Sequence, residues 1–227
     1  MKLIFQALFQ PRHAAESIKA RPRWLAQFIV LASASMIITV LMHPHVVHLT
    51  LYHLPSSATV QDKFIAEQSL NQELGIRCAF LPIRLLIGWV SFALILFYAC
   101  KTWAVREAVR FSEVFSLEVL AESVLVVGQA ATLINLAVSG GATSFVKVPL
   151  GIDMFFSSLP DAPVQMALNS INVFGVWYIV LLTIGISTLY GLSNVKSCIT
   201  VLAVWCLTVI FDIGVVSLLR DALSLKL

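Results

Sequence analysis

The chain is 227 residues long, 59% hydrophobic and only 12% charged, with a net charge of +3. Soluble domains carry about 25% charged residues, so this composition excludes an ordinary water-soluble globule, and so small and dispersed a charge excludes a nucleic-acid-binding surface. Its four cysteines, Cys78, Cys100, Cys198 and Cys206, have neither metal-site spacing nor the pattern of a disulfide framework and read as small apolar residues.

Residues 1–24 hold five basic side chains. The apolar run that follows lacks a small-residue cleavage site and is expected to remain as an anchor. Leu3, Ile4, Leu8 and Phe9 stand beside Arg12, Lys19 and Arg21, with Pro11 interrupting the run. That pattern fits a short interfacial helix on anionic lipid, or alternatively a frayed terminus.

Crossing a bilayer takes about 20 mainly apolar residues. Five segments qualify in chain order: Leu25–Met42, Ala79–Cys100, Val114–Val138, Val173–Leu192 and Cys198–Leu219. The expected fold is therefore all-α, a polytopic bundle of five transmembrane helices over residues 25–227. Two insertions, 43–78 and 139–172, lie on one face. Val60, Phe64, Ile65 and Leu74 predict an amphipathic helix in the first insertion. Pro44 is read as preventing a continuous helix across its start. The second insertion begins with Gly140–Gly141 and contains Pro149, Pro160 and Pro163. There, Phe155–Phe156 read as an interfacial dip and Asp161 as a helix cap.

Lys and Arg favour the cytoplasmic side of membrane proteins. With the N-terminus cytoplasmic, nine of them fall in cytoplasmic segments and five opposite, Arg84 being inside a span. The reading is N-terminus in and C-terminus out, in the cell's inner membrane. Trp24, Tyr98, Trp103 and Tyr190 then mark an aromatic belt at the cytoplasmic interface.

Four charges interrupt the apolar spans: Arg84, Glu118, Glu122 and Asp212. An ionisable group near the bilayer centre costs roughly 2.5–3.5 kcal/mol on insertion scales, so each is expected to face protein or water and to find a partner. At 1.5 Å of rise per residue, Arg84 and Asp212 lie roughly 8 Å and 10 Å below the same face. They are the favoured ion pair, with Glu122 as a competing acceptor. Glu122 stands about 12 Å in, near the middle of a ~30 Å core. Glu118, about 6 Å in, is close enough to the surface to snorkel or to meet Arg110.

Glu118 and Glu122 are four residues apart and share one helix face. Such a pair either belongs to a structural network neutralised by Arg84 and protons, or binds a cation or relays protons. No nucleophile with an adjacent base occurs in the order hydrolases use, and neither signature of an intramembrane protease is present.

Four histidines, His43, His45, His48 and His53, follow the first span. Imidazole is the commonest metal ligand, but this spacing matches no closed site and no acid lies nearby before Asp62. Interfacial histidines without a ligand role are the plainer reading, with metal binding as the alternative. Gly185, Ser187 and Gly191 allow close helix approach in the fourth span, for packing within the bundle or for dimerisation.

Several of these segments together resemble a known family. Phe9-Gln-Pro11, then Ile18-Lys19-Ala-Arg21-Pro22-Arg-Trp24, is similar to the opening of bacterial Yip1-domain proteins. So is Ile171-Asn172-Val-Phe174-Gly-Val-Trp177, running through Leu181-Leu-Thr-Ile-Gly185 to Tyr190-Gly191-Leu-Ser193. The resemblance implies five membrane helices, no recognised catalytic set and no cofactor. Eukaryotic members of the wider family are associated with vesicle traffic, membrane shaping and Rab GTPases. This chain lacks their long cytoplasmic N-terminal region. The function expected is a scaffold or organiser with membrane lipids, a membrane protein or a second copy of itself as partners. The alternatives are a small transporter or lipid- or ion-handling protein using Arg84, Glu122 and Asp212, and a metal-binding role for the histidines.

Overall fold

A computed structural model of the chain describes residues 2–52, 54–55, 57–102, 109–138 and 171–224. These form seven α-helices. In chain order they are α1 (Lys2–Phe9), α2 (Pro11–Ala20), α3 (Trp24–Tyr52), α4 (Val60–Lys101), α5 (Phe111–Val138), α6 (Val173–Tyr190) and α7 (Asn194–Ser224). Five of them, α3 to α7, are long and apolar enough to cross a membrane. The chain is a multi-pass membrane protein. Most of the second insertion, including Gly140, Gly141, Pro149, Phe155, Phe156, Pro160, Asp161 and Pro163, lies outside the described residues, as does Trp103.

Helix ends follow local chemistry. Gln10 leaves helical geometry (φ −139°, ψ 63°) and Pro11 takes the first position of α2, where its missing N–H costs nothing. Arg21, forced toward extended backbone by the following Pro22, ends α2 at φ −152°, ψ 97°. Thr59 and Asp62 build a reciprocal cap on α4: Thr59 N donates to Asp62 Oδ2 at 2.8 Å and Asp62 N donates to Thr59 Oγ1 at 3.2 Å. Asn172 caps α6 by accepting from Gly175 N at 2.8 Å. Gly191 closes the same helix in the left-handed region at φ 70°, which a residue with a Cβ enters only at a cost.

Two expectations change. Pro44 does not stop α3, which continues to Tyr52. Proline removes one N–H, but beyond it α3 runs along the projecting half of α4, where His43 Nε2 meets Asn71 Oδ1 at 2.8 Å and Met42 and Val46 line the groove shared with Leu70 and Leu74. The helix expected within 43–78 exists from Val60, yet it is no separate element. It runs unbroken through Pro82 into the second span as α4, 42 residues long and so about 63 Å. That is twice a ~30 Å core, so its first half projects beyond the bilayer. Arg77 and Glu73 pair there at 2.6 Å.

Helix α5 is central. It packs against α3, α4 and α6 and is also touched by α1 and α2, while α7 packs on α4 and α6. Its first half is buried almost all round, from Glu113 to Val124. Two close approaches seat α6 on it. A Cβ at Gly185 would collide with the Leu117 side chain, and one at Gly128 would come within 2.9 Å of the Phe174 ring. Aromatic contacts tie one end of the bundle: Trp24 on Phe115 at 5.1 Å, Phe111 stacked on Phe115 at 5.9 Å and Phe97 edge-on to Phe111 at 5.9 Å. Tyr98 is exposed there, whereas Tyr190 is buried with its hydroxyl donating to Phe97 O at 3.4 Å. Tyr190 therefore belongs to the core and not to a belt.

The N-terminal helices are neither frayed nor free of the bundle. Ala14, Ala15 and Ile18 of α2 are buried against α6 and α5. Arg12, His13, Glu16 and Lys19 occupy the opposite, exposed face.

Candidate functional site

The polar chemistry of the interior gathers on the first half of α5. Glu118 is 1% exposed, although it stands only two turns into its helix. The expectation that it snorkels or meets Arg110 gives way, because Arg110 is taken by Glu113: Arg110 Nε and Glu113 Oε1 are 3.0 Å apart. Glu118 instead turns inward, where Tyr178 of α6 donates its hydroxyl to Oε1 at 2.7 Å. The Tyr178 ring is held edge-on to Phe92 of α4 at 6.0 Å. A hydrogen bond to a charged acceptor contributes about 1.5–3 kcal/mol. Oε2 of Glu118 has no hydrogen-bond partner among the described residues.

Glu122, one turn further along the same face, is half-buried and interacts with the Trp89 indole of α4 and with Glu118. Trp89 is itself positioned by the edge of Phe28 of α3 at 5.4 Å. Four helices thus meet at the acid pair: α5 supplies both carboxyls, α6 the phenol, α4 the indole and α3 the packing behind it. Nearby hydroxyls serve their own helix. Ser116 donates to Ser112 O at 2.7 Å and Ser123 to Leu120 O at 2.6 Å.

No basic side chain among the described residues meets this pair. Arg84 is exposed on α4 and makes no ion pair among the described residues. Lys101 sits over the Phe97 ring at 4.7 Å. The Asp212 side chain lies outside the described residues, so the expected Arg84–Asp212 pair does too. Of the four charges singled out from the sequence, the structure brings Glu118 and Glu122 together and leaves Arg84 away from them.

Tyr178, Trp89 and Gln27 were not among the expected site residues. Gln27, on the first span, is 7% exposed with Oε1 unpartnered among the described residues. The usable signal is that Tyr, Trp and Gln each bring a polar group into hydrocarbon that must be satisfied there.

The histidines do not converge. His43 Nε2 meets Asn71 Oδ1 of α4 at 2.8 Å, His45 is half-buried, and His48 is exposed on α3. His53 lies outside the described residues. Among the described residues no three His, Cys, Asp or Glu side chains are placed to hold a metal ion.

Two grooves adjoin these helices among the described residues. One, of about 330 Å³, lies between the far half of α3 and α4. Ser35, Thr39 and His43 line it from α3, Glu73 and Arg77 from α4, and Gln129 from α5. The other, of about 790 Å³, is apolar and runs between α1, α5 and α6, lined by Leu8, Phe9, Val124, Val127, Phe174 and Trp177 among others.

A family model described as the Yip1 domain matches residues 5–216. No curated protein matches the chain, and no solved structure does.

Proposed function

Since the chain belongs to the Yip1-domain family, we propose that this multi-pass membrane protein acts without catalysis, organising lipid and protein partners within its membrane. The observation that supports this is the join between the apolar groove and α2. Leu8 and Phe9 line the groove, and three residues beyond Phe9 an exposed strip begins with Arg12 and continues through Lys19, Arg21 and Arg23. Glu16 is the acid within it, 3.5 Å from His13. A long apolar trough beside a basic strip matches an amphiphile with acyl chains and an anionic head, that is, an anionic phospholipid.

The energetics favour the match. Basic residues near an anionic surface contribute about 1 kcal/mol each, and acyl chains gain about 0.8 kcal/mol per buried CH₂ relative to water. In this reading the membrane is the cell's inner membrane, the junction of α2 and α3 stands at its cytoplasmic side, where Trp24 packs on Phe115, and the C-terminus is outside. Protein partners of acidic surface approach through the same basic strip.

The test is lipid retention. The protein is extracted in mild detergent from membranes of mixed lipid, and bound lipid is quantified for the parent and for an Arg12→Glu, Lys19→Glu variant. Retention of anionic lipid by the parent and a several-fold loss in the variant are expected. Equal retention in both would contradict the assignment.

A further inference from the structure

We propose that Glu118 and Glu122 form a proton-binding site inside the bundle, filled and emptied through the groove between α3 and α4. Three observations beyond the presence of two acids carry this. Oε2 of Glu118 is buried and has no donor among the described residues, while the carboxyl beside it is that of Glu122. A proton held by Glu122 supplies the donor that Oε2 lacks, and one proton shared by the pair removes the repulsion of two buried charges.

Gln27 is the second observation. Trp24 of α3 packs on Phe115 of α5, and Phe28 and Glu122 both meet Trp89. The two helices therefore run in the same direction, and three residues on from the Trp24–Phe115 contact bring Gln27 and Glu118 to the same level. Gln27 is 7% exposed, on the buried face with Leu31 and Ser35, and its Oε1 has no partner among the described residues. It is a buried acceptor at about the height of the acids that no donor among the described residues meets.

The groove is the third. Along a lining that also holds Ile38, Met42, Leu81 and Leu85, it carries polar groups inward from Glu73 and Arg77 on the projecting half of α4, through His43, Thr39 and Ser35 of α3, to Gln129 of α5. Gln129 stands seven residues beyond Glu122 on the same face of α5, about 10 Å away along the axis. The groove therefore carries water-compatible groups to within two turns of the pair.

The groups facing the pair are few. From α6 it is Tyr178 and from α4 Trp89, while Gln27 of α3 is buried at their level. The charged side chains of α2 are exposed, as is Arg84 of α4. Among the described side chains Tyr178 is thus the one other titratable group that meets the carboxyls.

Infrared spectroscopy of the full chain in lipid bilayers tests the proposal. Between about pH 5 and about pH 9, a protonated-carboxyl band in an apolar setting should lose intensity as pH rises. Glu118→Gln and Glu122→Gln should each shift or remove it. Tyr178→Phe, which keeps the ring, should shift its frequency and serves where a Gln variant does not fold. Gln129→Leu should leave the band present but slow its exchange with deuterium several-fold. A band that ignores pH, one unchanged by all three substitutions at the pair, or exchange as fast in Gln129→Leu as in the parent would each overturn the proposal.

Discussion

Tyr178 and Tyr190 are both buried on α6, but their hydroxyls meet different acceptors. Tyr178 donates to a carboxyl at 2.7 Å, whereas Tyr190 donates to a backbone carbonyl at 3.4 Å. Hydrogen bonds to charged groups contribute about 1.5–3 kcal/mol and neutral ones about 0.5–1.5 kcal/mol. Tyr178→Phe should therefore lower the thermal midpoint in detergent more than Tyr190→Phe, by an amount corresponding to about 1–2 kcal/mol. Equal shifts would mean that the Glu118–Tyr178 bond is replaceable by water. The acid pair was legible in the sequence, because two glutamates four apart in an apolar span define one face. Its partners were not. Tyr178 is sixty residues away along the chain, and hydropathy treats Tyr and Trp as span-compatible whatever their polar ends require. Depth along a single helix also misplaced Glu118, since burial in a bundle depends on neighbours as well as on distance from the membrane surface.

Helix α5 can be buried on so many sides because α6 lies close against it, and Gly185 makes that closeness possible. Gly185→Ala places a methyl into Leu117, and overpacking of this kind costs about 1–3 kcal/mol. Adding Leu117→Ala should recover part of the loss. Gly75→Ala on the projecting half of α4 is the control. Nothing lies within 4 Å of its Cβ, so the better helix former should be neutral or stabilising by up to about 1 kcal/mol. Thermal unfolding of the four proteins in one detergent checks the series, and a Gly185→Ala variant as stable as the parent would contradict this packing. The helices themselves were readable from apolar length. Their ends were less so. Pro44 suggested a stop that packing along α4 overrides, and the polar residues of 60–78 hid that α4 continues a span instead of preceding one. Gly185 signalled close packing, but only the assembled helices show that it admits Leu117, and that Gly128, not singled out in the sequence, admits Phe174.

The whole molecule places its unlike chemistries apart: an acid pair inside, an apolar belt outside, and a basic strip on α2 beside a groove. Five spans with the expected Lys and Arg bias predict opposite locations for the two termini. Topology reporters fused after Lys101 and after Leu227 should report the cytoplasm and the outside respectively; the same side for both would require a different number of crossings. From Leu8, Phe9, Arg12 and Lys19 the sequence suggested one short interfacial helix or a frayed terminus, where the structure has two helices. Their docking on α5 and α6 was not foreseen, since Ala14 and Ala15 carry too little hydrophobicity to announce a buried face. That docking creates the groove, and so the central claim rests on it. The most direct measurement uses an anionic phospholipid with a photoactivatable acyl chain, followed by peptide mapping of the labelled protein. The account predicts labels concentrated on the peptides holding Leu8–Phe9 and Val173–Trp177. Labels spread evenly over the exposed apolar faces of α3 and α4, at Ile37, Ile83 and Ile87, would contradict it.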